Sequence, residues 1–435
     1  MRTILIVSPH FPPVNAPDHQ RVRMALPFLA ESGWKATVLA VDASGVEGVQ
    51  DLNLSRTLPG DLEVVLVNAW SKKWLRYLGV GSLAYRAQRL LHVAGTTLLR
   101  EGNFDLVFFS TTVFPVMALG PRWQRQFGVP YVLDFQDPWV SDYYDNHPEQ
   151  QPPGGRLKYV VSQWLARRLE PLTLRGANHV VCVSAAYTQS FKQRYPDLLD
   201  ERFTTLPFGA PESDFAALSR LGVKQSLFDP RDGRTHWVYI GRGGDDMSFA
   251  VRAFCQALRR FLDSSPIMRA KLRVHFAGTD YAPRERARKT IEPIAHEYGV
   301  EDVVSEQTNR LPYFEVLQCL CEADALIIPG SDDSGYTASK LYPYVLARKP
   351  LLAVFHEASS VTGILRQTHA GTVVTFNDEY NLKGVSDVIY LEWFLHWPQS
   401  TPATDWNAFA QYTARVMTQK LCNVFHQAVL RRGRG

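Results

Sequence analysis

Short apolar runs alternate with helix-like stretches along most of the chain, and this alternation limits the fold more than any other feature. The first run, ILIV at 4–7, is continuously apolar and rich in branched side chains, as is typical of a central parallel strand. Parallel strands need a crossover, usually a helix, between them. The pattern predicts strands in a first series at 4–7, 36–41, 62–67, 104–110, 130–135, 179–184 and 203–207, and in a second at 236–241, 272–277, 303–305, 326–328, 351–355 and 371–375. We therefore predict an α/β protein with two doubly wound parallel sheets and right-handed crossovers.

The alternation of apolar runs and helix-like stretches stops near residue 210. The segment LPFGAPESDF at 206–215 is predicted to be a loop, and 218–235 has the character of a connecting segment. A length of 435 residues also fits two domains better than one. We predict a Rossmann-like N-terminal domain over 1–208, a Rossmann-like C-terminal domain over 209–400, and a closing segment over 401–435 with a long amphipathic helix at 406–429.

Composition excludes several classes of function. The net charge of +4 is too small to indicate nucleic acid binding. No apolar run approaches the roughly 18–20 residues of a membrane-spanning helix, and the start MRTILIVSPHFPP is typical of a first strand rather than a signal peptide. The five scattered cysteines are expected to be buried and reduced. These features predict a cytoplasmic protein.

The stretch LIIPGSDDSGYTASKLYPYVLARKPLLAVF at 326–355 follows a strand, loop, helix, strand pattern. Its loop lies at the carboxyl end of a strand and leads into a helix, where unpaired N–H groups and the helix dipole favour an anion. Ser339 or Thr337 is expected to cap that helix, and Lys340 adds a positive charge. The alternative is an ordinary loop with a solvated lysine.

A glycine-rich turn, GRGGDD at 241–246, follows the first strand of the second series. It is not the GxGxxG of a dinucleotide site, so a dehydrogenase is disfavoured. Arg242 stands directly after the strand, where a guanidinium can grip a diphosphate with two hydrogen bonds. The alternative is a salt bridge from Arg242 to Asp245 or Asp246.

Polar side chains also follow strands of the first series. VPYVLDFQDPW at 129–139 places Gln136 and Asp137 at a carboxyl end, where substrates bind in such sheets. The alternative there is a turn in which Asp137 caps the next element. HFPPVNAPDHQRVR at 10–23 places Asp18, His19 and Arg21 at the start of the first helix. The alternative for His19 is an ordinary surface histidine.

Together, these segments resemble a GT-B glycosyltransferase of the family 4 type. ILIVSPHFPP resembles the N-terminal strand and loop of that family, and VPYVLDFQDPW resembles its PxVxDxxDxW stretch. LPFGAPESDF resembles the linker, VYIGR the start of the second domain, and SGYTASKLYPYVLARKPLLAV the donor segment. The order and spacing cover nearly the whole chain.

The resemblance implies two domains facing across a cleft, with the closing helix returning to the first domain. It implies a nucleotide-diphosphate sugar donor on the second domain and a glycan, lipid-linked or small-molecule acceptor on the first. It also implies retention of the anomeric configuration, no required metal and no cofactor besides the donor substrate. The catalytic residues would be Asp137, Arg242 and Lys340; the donor-binding residues Gly241, Arg242, Asp333, Ser334, Gly335, Ser339 and Lys340; and the acceptor-side residues Asp18, His19, Arg21 and Gln136.

The donor segment departs from the family pattern. Its two glutamates are missing, since Pro343 occupies the second place and 332–334 lies near the first. Met247 and Ser248 stand where the family carries a lysine. Asp333 and Lys340 are the candidate replacements. Two alternatives therefore stay open: a nucleotide-sugar binding or scaffold protein without turnover, and a GT-B-fold epimerase, for which no carboxylate–histidine pair stands out in the sequence.

A basic stretch with aromatic residues, SKKWLRYLGVGSLAYRAQRLLHVAGTTLLR, occupies 71–100. A basic amphipathic helix can lie on an anionic leaflet, which predicts peripheral contact with the inner face of the membrane. The alternative, which we favour, is a core-facing helix with a solvated basic side.

Overall fold

A computed structural model describes residues 1–71, 81–146, 152, 155–280, 287–333, 338–377 and 379–431. The chain forms two compact units. Unit 1 contains Met1–Gly209 and Ala414–Gly435, and unit 2 contains Ala210–Thr413. That the units face each other across a cleft stays a prediction.

Unit 1 is built on a parallel sheet that has seven strands among the described residues. The strands are β1 (Arg2–Val7), β2 (Trp34–Val41), β3 (Glu63–Val67), β4 (Leu106–Ser110), β5 (Tyr131–Phe135), β6 (His179–Cys182) and β7 (Phe203–Thr205). Their order is β3-β2-β1-β4-β5-β6-β7. The helices that cross between them are α1 (Gln20–Leu29), α2 (Leu52–Ser55), α3 (Leu83–Glu101), α4 (Leu119–Phe127), α5 (Tyr143–Asn146), α6 (Arg156–Gly176) and α7 (Ala185–Arg194).

Unit 2 repeats this plan with a parallel sheet of six strands in the described residues. The strands are β8 (Thr235–Ile240), β9 (Leu272–Ala277), β10 (Val304–Gln307), β11 (Ala325–Pro329), β12 (Leu351–His356) and β13 (Thr372–Phe376), in the order β10-β9-β8-β11-β12-β13. The helices are α8 (Glu212–Leu221), α9 (Ser248–Ser264), α10 (Pro266–Lys271), α11 (Glu292–Glu297), α12 (Tyr313–Glu322), α13 (Leu341–Leu346), α14 (Ser360–Thr368), α15 (Leu382–Ile389) and α16 (Trp406–Ala410).

The predicted fold class is confirmed, and each predicted strand lies within two residues of its expected bounds. In each sheet the strand order reverses once, between β1 and β4 and between β8 and β11. Loops that leave the carboxyl ends of two such strands diverge and leave a crevice, which is where ligands bind in open α/β sheets. The topology therefore marks one candidate site in each unit.

Several helices differ from expectation. Residues 212–221 form α8 within a stretch predicted to be a loop and connective segment. Pro211 precedes its first residue, and Gly222 follows its last residue in the left-handed conformation, with φ 60°. These two helix-breaking residues mark the ends of the helix.

The closing segment also differs. The predicted single helix at 406–429 is two helices, α16 and α17 (Ala414–Arg431), and residues 401–413 belong to unit 2. Only α17 returns to unit 1, where it packs against α1. Phe425 is fully buried there, with ring centroids 5.5 Å from Trp34 and 4.9 Å from Phe108.

The described part of the basic stretch at 71–100 favours the core-facing alternative. Arg86 is buried in α3 and donates to the backbone carbonyls of Trp70 and Gly45, rather than lying on a solvated side. Gly95 of the same helix faces the Trp123 ring so closely that a Cβ would overlap it. The basic residues at 72–80 lie outside the described residues.

The five cysteines, all within the described residues, are unpaired, as expected; four are buried, but Cys321 is partly exposed. No helix among the described residues has the length and apolar character needed to cross a bilayer.

Replacing Phe425 by alanine should destabilise unit 1 by about 3–5 kcal/mol, because a buried ring between two aromatic neighbours leaves a cavity. Asn423→Ala, at an exposed position of the same helix, should change stability by less than about 0.5 kcal/mol. Hydrogen exchange of β1 and β4 peptides would measure both, since two units need not unfold together. Equal protection in the two variants would contradict the packing described.

Candidate functional site

The site in unit 2 begins with an ion pair directly after β8. Arg242 donates from Nη1 to Oδ1 of Asp246 at 2.8 Å and from Nη2 to Oδ2 at 2.6 Å. The predicted alternative of a salt bridge is thus confirmed, with Asp246 as the partner. Burial raises the pKa of Asp246, but the hydrogen bonds and charge of Arg242 outweigh it and leave the pKa below its ordinary value. The Arg242 side chain keeps 28% of its surface exposed.

Asp246 also joins the two loops that diverge at the strand-order reversal. Ser331, which follows β11, donates from Oγ to Asp246 Oδ2 at 2.7 Å. The amide of Asp332 donates to the Asp246 carbonyl at 2.8 Å, and that of Asp333 to Ser331 Oγ at 3.1 Å. The predicted donor residue Asp333 therefore lies in a loop tied to the Arg242 ion pair. Ser334 and Gly335 lie outside the described residues.

Lys340 is half-buried against β8 rather than solvated. Its Nζ donates to the Tyr239 hydroxyl at 2.6 Å and lies 4.6 Å from the ring centroid, while that hydroxyl donates to the Arg242 carbonyl at 2.6 Å. Gly241 makes this possible, because a Cβ there would overlap Lys340 Nζ. Burial, assisted by the charge of Arg242 and opposed by that of Asp246, lowers the pKa of Lys340 to about 7.

The helix after this loop, α13, is short. It starts at Leu341, so Lys340 occupies the N-cap position, and no side chain caps it. Ser339 is exposed and does not cap it, and Thr337 lies outside the described residues. With six residues, α13 brings only a small dipole to the loop, so the side-chain cations provide most of the positive charge.

In unit 1, the corresponding crevice holds a carboxylate–histidine pair that the sequence did not reveal. Asp18 Oδ2 lies 2.9 Å from His10 Nδ1 and accepts from the Thr112 amide at 3.1 Å and Thr111 Oγ1 at 3.2 Å. Burial raises the pKa of Asp18, but the hydrogen bond and charge of His10 leave it below its ordinary value. The signal in the sequence was weak, because seven residues of irregular loop separate the two side chains.

His19 is fully buried, so its interpretation as a surface residue is wrong. Its Nε2 lies 2.7 Å from the Val14 carbonyl, and burial lowers its pKa to about 4. The imidazole is therefore neutral and fixed near pH 7, which suits a structural role better than proton transfer.

Arg21 and Gln136 converge on the buried carboxylate of Asp134, at the end of β5. Arg21 Nε donates to Asp134 Oδ2 at 2.9 Å, and Gln136 Nε2 donates to the same oxygen at 2.8 Å. Arg21 also donates to the carbonyls of Leu206 and Pro207 at 2.7 and 3.2 Å. Gln136 donates in addition to the Asp18 carbonyl at 2.9 Å. These buried hydrogen bonds hold together the chain segments that form the crevice of unit 1.

Asp137 follows Gln136 and is exposed, so it can meet a ligand directly. The structure thus brings Gly241, Arg242, Asp333 and Lys340 together in unit 2, and Asp18, His19, Arg21 and Gln136 in unit 1.

Comparisons with known proteins agree with this architecture. Residues 19–209 match the family model described as "Glycosyl transferase 4-like domain". No curated protein matches the sequence. A solved trehalose 6-phosphate synthase from Burkholderia multivorans is similar over 98% of this chain and 96% of its own, with a TM-score of 0.65 and 14% identity.

Two further solved structures have the same fold. A glycosyltransferase from Rickettsia africae is similar over 98% of both chains, with a TM-score of 0.57 and 12% identity. Anabaena HepE in complex with UDP is similar over 100% of this chain and 98% of its own, with a TM-score of 0.52 and 14% identity. The predicted GT-B fold is confirmed by these structures, and the match to the glycosyl transferase 4-like family model covers residues 19–209.

Replacing Arg21 by methionine should destabilise unit 1 by about 3–5 kcal/mol, because it leaves the Asp134 carboxylate buried without its cation. Asp134 Oδ1 already has no hydrogen-bond partner among the described residues. Arg175→Met breaks an exposed pair with Asp197 and should change stability by less than about 1 kcal/mol. Hydrogen exchange of β4 and β5 peptides would compare the variants, and similar losses in both would refute the role given to Arg21.

Proposed function

We propose that the protein is a cytoplasmic glycosyltransferase that moves a sugar from a nucleotide-diphosphate donor, bound by unit 2, to a glycan, lipid-linked or small-molecule acceptor, bound by unit 1. One observation carries the proposal: Arg242 and Lys340 flank Gly241 at the strand-order reversal of unit 2. Burial, with the nearby charge of Arg242, lowers the pKa of Lys340, and a bound diphosphate would offset both effects by stabilising the charged amine.

The proposed chemistry uses electrostatic stabilisation. As the bond between the sugar and the diphosphate breaks, negative charge grows on the leaving group, and Arg242 and Lys340 stabilise it without a metal. Arg242 exchanges Asp246 for phosphate oxygens, since its guanidinium is partly exposed. The acceptor oxygen attacks from the same face with retention, and the departing diphosphate takes its proton.

The remaining predicted residues that the structure describes divide by exposure. Asp333 and Ser339 are exposed and are proposed to contact the donor, and the exposed Asp137 is proposed to contact the acceptor. Ser334 and Gly335, outside the described residues, keep their predicted role in donor binding. Asp18, His19, Arg21 and Gln136 are buried and are proposed to shape the acceptor site by holding its loops. Asp333 takes the place of a donor glutamate through its carboxylate.

Replacing Arg242 by alanine should lower turnover by about 10²-fold or more, because the leaving diphosphate loses a donor comparable to one in an oxyanion hole. Arg242→Lys restores the positive charge but not the two parallel hydrogen bonds, so its turnover should stay well below that of wild type. The measurement is nucleotide release from UDP-, GDP-, ADP- and dTDP-sugars, with thermal shift to verify folding. The matched control is Arg259→Ala, which removes another arginine paired with an aspartate four residues later, on α9.

The outcomes of this panel separate the candidate functions. Stabilisation by a nucleotide-sugar together with nucleotide release supports transfer, with water replacing a missing acceptor. Stabilisation without release, even with glycan and lipid-linked acceptors, indicates a binding protein. A lack of response to every nucleotide, or normal turnover in Arg242→Ala, would refute the proposal.

An epimerase is a second candidate, favoured by the His10–Asp18 pair. An aspartate at Nδ1 fixes the tautomer of an imidazole and leaves Nε2 able to exchange a proton. His10 keeps 22% of its side-chain surface exposed. In the same panel run in deuterated water, an epimerase would return an isomeric, deuterated nucleotide-sugar without releasing nucleotide, which NMR would detect.

Nucleoside diphosphate affinity should fall as the pH rises. If the bound diphosphate requires Lys340 protonated, a free pKa of about 7 means that raising the pH from 6 to 8 weakens binding about tenfold. Lys340→Met should bind weakly at both pH values and lose this dependence, whereas Lys383→Met, at an exposed lysine of unit 2, should keep it. Calorimetric titration measures this, and a wild-type affinity independent of pH would contradict the role of Lys340.

A further inference from the structure

The helix α6 presents an apolar stripe to solvent. Its first four members lie within seven residues of each other, at intervals of three and four, and the fifth follows eight residues later, so they share one side of the helix. They are strongly exposed: Leu157 by 82%, Val160 by 57%, Val161 by 56%, Trp164 by 54% and Leu172 by 60%. We call this side the α6 outer face. Folded monomers rarely expose so continuous an apolar surface unless it contacts something.

The opposite side of α6 already anchors the helix to unit 1. Tyr159, Ala166, Glu170, Thr173 and Leu174 are buried there. The Glu170 carboxylate accepts from the Val140 amide at 3.1 Å and the Tyr195 hydroxyl at 2.9 Å. Because the inner side satisfies the packing of the helix, the core does not need the outer face.

The charge around the outer face is positive. Five residues of α6 are basic and one is acidic: Arg156, Lys158, Arg167, Arg168 and Arg175 against Glu170. Exposed aspartates pair with two of the five cations, Asp142 and Asp145 with Arg167 and Asp197 with Arg175, and the balance stays positive. Glu170 is buried and lies 3.2 Å from Arg194, so it adds no negative charge at the surface. The Arg168 guanidinium lies 4.2 Å from the Trp164 ring centroid, which places a cation within the apolar stripe.

We propose that the α6 outer face docks unit 1 onto an anionic lipid bilayer. A helix with apolar and aromatic residues on one side and flanking lysine and arginine lies in the interface plane, with its apolar side among the acyl chains. The Trp164 indole suits the headgroup level, and each cation near an anionic leaflet adds to the attraction. Two copies meeting through this face would instead bring like charges together. This docking is independent of the sugar transfer proposed above. It would, however, give unit 1 access to a lipid-linked acceptor.

The test is flotation of the full chain with vesicles of phosphatidylcholine, alone or with phosphatidylglycerol. Wild-type protein should float with the anionic vesicles, and less so as salt rises. Val161→Glu with Trp164→Glu should reduce binding at least about tenfold, because two buried apolar contacts become charges. Val93→Glu with Leu430→Glu, exposed apolar positions elsewhere in unit 1, should bind as wild type.

Lys158→Gln with Arg168→Gln should weaken binding to anionic vesicles while leaving folding unchanged, as monitored by circular dichroism. Sedimentation velocity tests the competing possibility, that the α6 outer face joins two copies of the chain in a dimer. No flotation of the wild-type chain, equal flotation of Val161→Glu/Trp164→Glu, or a dimer that this variant dissociates without any lipid binding would each overturn the proposal.

Discussion

A buried or half-buried aspartate, bound by an arginine and a serine, holds each strand-order reversal together. In unit 1 the set is Arg21, Asp134 and Ser110, whose Oγ donates to Asp134 at 2.7 Å. In unit 2 it is Arg242, Asp246 and Ser331. In unit 1 the carboxylate of β5 links the end of β4 to the helix that follows β1, and in unit 2 the carboxylate links the loops after β8 and β11.

The two sets differ in their exposure to solvent. This difference suits the set in unit 1 to a structural role and the set in unit 2 to ligand binding. The Arg21 and Asp134 side chains keep 4% and 0% of their surface exposed, against 28% and 14% for Arg242 and Asp246. A buried pair cannot exchange partners without leaving an uncompensated charge. A partly exposed arginine can exchange partners, because an incoming anion compensates its charge. The aspartate then keeps its hydrogen bond from Ser331 and its contact with solvent. The same reasoning explains Lys340: its burial beside Arg242 disfavours the charged state in the free protein, and an anionic ligand removes that disadvantage.

Features that depend on local pattern could be predicted from the sequence. The strands were found because buried parallel strands are continuous apolar runs, and Arg242 and Lys340 because they follow strand ends. Features that depend on distant contacts could not. The pairing of His10 with Asp18 depends on the path of an irregular loop, and the burial of Arg21 on carbonyls 185 and 186 residues away. The α6 outer face was missed for another reason: its residues are apolar, and periodicity alone does not distinguish an apolar side facing the core from one facing solvent.

Gly241 has a consequence for how such a site changes over time. The φ angle of Gly241 is not positive, so another residue could adopt its conformation, and the obstacle to a side chain is the space taken by Lys340 and, at 3.1 Å, the Tyr239 hydroxyl. A single added methyl group would push aside the flexible end of a lysine while leaving strand, turn and core packing in place. The affinity for anions and the stability of the fold are therefore separable at this position, and a lineage could abandon the chemistry and keep the scaffold in one step.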